Sequence, residues 1–158
     1  MTRVIWPSGP GSQAGGLRAL RYPLGTAHRA LSLADLAQMD AFRQTLVARQ
    51  QSAEEATAAL AEGYIRCVTD MQGEVGVLAA ALAGSEEKTA VYQELLEHGT
   101  RMVAAVLTPH SKRPAAELQV SCIGLVGAGE ALAAAVVRGA LGEREAIEAF
   151  TRLVRAVL

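Results

Sequence analysis

The chain has 158 residues, 51% of them hydrophobic and 20% charged, with a formal net charge of −1. That length suits one ordinary domain with a sizeable core, and near-neutrality excludes a chain-wide basic footprint for nucleic acid. The balance is uneven, because residues 1–33 carry Arg3, Arg18, Arg21 and Arg29 with no acid, which leaves an acidic body behind them.

Residues 1–33 also hold five glycines and three prolines with no sustained apolar period. Such a composition does not offset the entropy lost on ordering, so a mobile basic tail is expected there, with Trp6 and Tyr22 free to dock on the body. The domain proper is expected over residues 34–158. Helix signals begin at Ser32, an N-cap with Asp35 three residues on. Leu36, Met39, Phe42, Leu46 and Val47 then form a stripe that runs to about Gln50.

Ser52 repeats the cap, with Glu54 and Glu55 in a first turn favoured by the helix dipole. Leu60, Tyr64, Cys67, Val68 and Met71 follow at helical spacing to about Gln72, and Gly73 marks a break. Val75 to Leu82 then reads as a short apolar helix closed by Gly84. Ser85 caps the next helix, which turns Val91, Leu95, Met102, Val103 and Val106 inward and stops before Pro109.

His110 to Arg113 forms a short basic loop, and Pro114 suits the first turn of a long helix reaching about Ala140. Its apolar face carries Leu118, Cys122, Leu125, Val126, Leu132, Val136 and Val137, and the rest is nearly bare of side chains. Each glycine inside a helix costs about 0.5–1 kcal/mol relative to alanine. Gly124, Gly127 and Gly129 therefore imply a compensating gain, and close approach of another helix supplies one. Gly139 and Gly142 flank a turn, Glu143 and Glu145 open a final helix, and Ile147, Phe150, Val154 and Val157 form its stripe. The pattern predicts an all-α fold, an antiparallel bundle of about six helices.

Little in this pattern carries chemistry. Cys67 and Cys122 lie far apart among apolar neighbours, which fits buried thiols in a reducing cytoplasm rather than a disulfide or metal framework. Charges interrupt every apolar run long enough to span a membrane, and the N-terminus has no continuous apolar segment of the secretory kind. The run Ile123 to Ala133, with Gly127-Ala128-Gly129 at its centre, imitates a dinucleotide-binding turn. It lacks a third small residue where Leu132 stands, and the remaining chain reads as helix rather than strand.

His98 shares a helical face with Val91, Leu95 and Met102, and Glu94 one turn earlier is placed to accept its ring N–H. It suits a core histidine or a polar contact in a ligand pocket, since helix-lined pockets are mostly apolar with a few placed polar groups. Tyr64, on a buried stripe, offers a hydroxyl to the same end. Met39, Met71 and Met102 suit an adaptable core or cavity, and Arg66 with Asp70 reads as a solvated pair one turn apart. No Ser/His/Asp trio or metal-ligand spacing emerges, so neither an enzyme, a metal nor a cofactor is expected.

The segment GLVGAGEALAAAVVRGALGEREAIEAFTRLVRAVL, Gly124 to Leu158, resembles the common ending of TetR-family transcriptional regulators. In that ending a small-residue helix leads through a glycine turn and an acidic N-cap region into a final amphipathic helix. Ser32 to Leu36 resembles the handover from the family's DNA-binding head to its linking helix. The resemblance implies a ligand-binding and dimerisation domain whose last two helices pair with their copies across a two-fold axis. Gly124, Gly127, Ala128, Ala131, Ala135, Ile147, Phe150 and Val154 would form that interface.

The resemblance also implies a small apolar or amphipathic effector enclosed by the middle helices, with Tyr64, Met71, His98 and Met102 as pocket candidates. Effector binding would be coupled to helix rearrangement. Residues 1–33 depart from the family's pattern, because no helix-turn-helix head is legible in them. DNA contact is thus implied only where a head comes from further sequence or a partner, and the acid-free composition suggests a truncated or frame-shifted head. The alternatives are a module that heterodimerises with an intact regulator and, third, a small helical-bundle enzyme.

Overall fold

The computed structural model describes residues 37, 39–47, 52–81 and 86–158. The expected tail over 1–33, the Ser32 cap with Asp35, and the boundary at Gly84 and Ser85 lie outside the described residues. All regular structure among those described is helical. A stretch over 39–47, here α1, is followed by α2 (Ala53–Ala81) and α3 (Glu86–Leu107), then by a 3-10 turn (Thr108–His110). α4 (Ala115–Val137) and α5 (Glu143–Val157) complete the order.

α2 begins where Ser52 and Glu55 satisfy each other's backbone. The Ser52 N–H donates to Glu55 Oε2 at 2.9 Å and the Glu55 N–H donates to Ser52 Oγ at 3.2 Å, a reciprocal cap that consumes two otherwise orphaned donors. The helix then runs 29 residues without interruption. The break expected at Gly73 is absent, and the two helices predicted on either side of it are one. A lone glycine costs only about 0.5–1 kcal/mol in a helix interior, which is too little to end a helix whose flanking turns form.

Two cross-pairs orient α5 against α2. Arg155, near the end of α5, bonds Glu54 in the first turn of α2, and Arg66 Nε, further along α2, donates to Glu143 Oε1 at the start of α5 at 2.9 Å. The helices therefore run antiparallel. α4 and α5 form a second antiparallel pair, closed at the turn by Gly139, whose φ of +71° is a left-handed conformation suited to glycine. At the other end Arg113 Nη2 donates to the Ala156 carbonyl at 3.3 Å.

The core follows the predicted stripes. Leu60, Tyr64, Cys67 and Val68 of α2, Met102, Val103 and Val106 of α3, and Leu118, Cys122, Leu125 and Val126 of α4 are buried with Phe150 and Val154 of α5. Met39, Phe42 and Leu46 dock α1 on the same core. Val47 and Val137, predicted to face inward, are about half exposed. α2 touches both C-terminal helices, and α3 packs on α4.

Candidate functional site

Tyr64 stands at the centre of this packing. Its ring stacks on Phe150 of α5 with centroids 5.3 Å apart and planes 22° from parallel. A Cβ built on Gly129 of α4 would overlap the Tyr64 ring and meet Phe150 Cε2 at 3.3 Å. On the α3 side a Cβ on Gly99 would meet the Tyr64 hydroxyl at 3.5 Å. Burial pushes the Tyr64 phenol well above its usual range, and the charge of Glu130 adds to the effect. Tyr64 is thus a packed core residue, as is Met102.

Of the glycines within α4, Gly129 is the one that lets helices approach inside the chain. Among the described residues, Gly124 and Gly127 have nothing within 4 Å of where a Cβ would stand. They lie on the opposite face of α4, exposed together with Val120, Ile123 and Ala131. Of the residues expected at a dimer interface, Ala128 and Ala135 are partly buried and Ile147 packs against the core. Phe150 and Val154 are fully buried inside the chain. Their stripe on α5 is the one that α2 and α4 cover, so they have no surface left to offer a second copy.

His98 is partly buried, and its Nε2 approaches Asp40 Oδ1 of α1 at 3.4 Å. The approach falls short of a hydrogen bond, which leaves Nε2 a buried polar atom without one. The expected partner Glu94 is exposed. Arg66 turns from Asp70 to bond Glu62 and Glu143. Burial pushes the Asp70 carboxyl up, as does the charge of Glu143, while Arg66 opposes them.

A polar pair that the pattern of stripes did not reveal joins α2 and α4. Gln72 Nε2 donates to the main-chain carbonyl of Glu130 at 3.2 Å and to its Oε2 at 3.3 Å. Glu130 is partly buried, and burial pushes its carboxyl up against the opposing bond from Gln72. Tyr92 of α3 is about half exposed; burial pushes its phenol up, and the charge of Glu130 adds to the effect. The signal in the sequence was isolation: Glu130 is the one charged residue between Glu117 and Arg138. Met71, the neighbour of Gln72, is partly buried with its Sδ 3.9 Å from Cys67 Sγ.

Among the described residues no group of three or more His, Cys, Asp or Glu side chains is arranged to hold a metal ion. By length and composition alone, α4 meets the requirements of a membrane-crossing helix; in this fold one of its faces packs on α2, α3 and α5. No family model, curated protein or solved structure matches the chain.

Proposed function

We propose that the bundle is the ligand-sensing and dimerising domain of a regulator similar to the TetR family, with α4 as the core of a two-fold interface. The observation that carries this reading is the uncovered face of α4. Val120, Ile123, Gly124, Gly127 and Ala131 share one side of the helix at helical spacing, and all are exposed. A helix that is apolar all round is ordinarily covered on every side, and bare glycines on the outer face admit a second backbone at close range. A second copy of the same helix, related by a two-fold axis, satisfies both requirements.

In this reading an effector bound within the bundle has different affinities for two helix arrangements and so shifts their populations. Ile123→Cys tests the interface. A short bismaleimide applied to the folded variant should give a covalent dimer, because Cys67 and Cys122 are buried. A yield no higher than that of the unsubstituted chain would contradict the reading.

A further inference from the structure

We propose that His98 of α3 and Asp40 of α1 form a proton-operated latch that holds α1 on the bundle. His98 Nε2 lies 3.4 Å from Asp40 Oδ1, and among the described residues this is the one contact between ionisable side chains that joins α1 to another helix. The imidazole is mostly buried, its side chain 17% exposed, while the Asp40 carboxylate is half open to water. Nε2 itself is sealed from solvent and has no hydrogen-bond partner. Beside the pair, a Cβ on Gly99 of α3 would meet Met39 Cε of α1 at 3.4 Å, so the latch closes where the two helices touch. It lies within one protomer and does not require the dimer.

A buried polar atom left unbonded is costly, and the chain avoids that cost nearby: Thr100, two residues on, donates its hydroxyl to the Leu96 carbonyl at 2.8 Å. At 3.4 Å a neutral imidazole satisfies neither partner, because N–H···O bonds run from about 2.7 to 3.2 Å. In one of its two neutral forms Nε2 even turns a lone pair toward the carboxylate. Protonation makes Nε2 a charged donor facing an anion, and charges attract more strongly where water is partly excluded. Histidine is the side chain that changes charge between about pH 5 and 8. The other side chains around the pair are of types that do not titrate in that window. Arg43 of α1 lies 3.6 Å from the same Asp40 oxygen, and Glu94, Glu97 and Arg101 of α3 are exposed. α2 brings the Tyr64 hydroxyl to Gly99, kept neutral by burial, and α4 brings the apolar Val126. No described acid or base of α2, α4 or α5 pairs with His98. The proton on His98 thus sets how firmly α1 is held.

The test uses the full chain and reads amide-exchange protection over residues 39–47, corrected for intrinsic rate, at about pH 5.5 and about pH 8. Protection of α5 in the same molecule is the reference, which cancels any pH dependence of global stability. Relative to α5, α1 should be protected about three- to tenfold more at the lower pH. Asp40→Asn, at a half-exposed position, keeps an acceptor without the charge and should flatten that difference, and His98→Gln should do the same. His110→Gln, in the 3-10 turn, should leave it intact. Equal relative protection at the two pH values, a difference that persists in Asp40→Asn or in His98→Gln, or one that disappears in His110→Gln would overturn the proposal.

Discussion

The ring of Tyr64 fills the space where Gly129 would carry a side chain: a Cβ there would stand 2.9 Å from Tyr64 Cδ1 and nearer still to Cε1. That contact joins α2 to α4, and through the stacked Phe150 it extends to α5. The absence of a methyl group at one position thus sets how three helices meet.

Gly129→Ala should therefore destabilise the chain although alanine is the better helix former. The propensity gain is about 0.5–1 kcal/mol, and overpacking a filled core costs about 1–3 kcal/mol. Urea denaturation should show a net loss. An unchanged or raised midpoint would mean that Tyr64 can leave its place freely.

Gly63 plays the same part for α1. A Cβ on Gly63 would overlap the ring of Phe42, the buried anchor of α1. Gly63→Ala should lower amide-exchange protection over residues 39–47 and leave that of α5 intact. Equal protection in both chains would show that α1 is not held by this contact.

Stability should depend on pH through Glu130. Burial raises its pKa in the folded chain, so the native state holds this proton more tightly than the unfolded state does. Its favourable contribution is present below the ordinary glutamate range and is lost as pH rises through the raised value. Asp70 acts in the same sense. Glu130→Gln, which never ionises, should be more stable than the parent near pH 7, with the gap closing toward pH 4. A gap that is constant with pH would show that Glu130 is not desolvated in solution.

Much of the fold was legible because helices announce themselves by periodicity and caps. Ser52 with Glu55, the stop near Pro109, the Gly139 turn and the stripe of Phe150 and Val154 all follow from local chemistry. Periodicity identifies which residues share a face and is silent about what covers that face. Phe150 and Val154 were thus legible as one stripe, while its burial against α2 and α4 was not. Gly127 and Gly129, two positions apart, look alike in sequence, yet only Gly129 meets a neighbouring ring. Gly73 resembled a boundary, but one glycine is too weak to make one. Glu130 was overlooked because its glycine neighbours drew the comparison with nucleotide-binding turns, although a single charge in an apolar helix is itself a signal.

The central claim is that the exposed small-residue face of α4 receives a second copy of the chain, and Gly127→Leu tests it most cleanly. No described residue lies within 4 Å of a Cβ at that position, so the variant is accommodated by the described protomer and obstructs a partner. Sedimentation equilibrium should give twice the monomer mass for the parent chain and the monomer mass for Gly127→Leu, with helicity unchanged. A monomeric parent, or a variant that dimerises as tightly as the parent, would contradict the account.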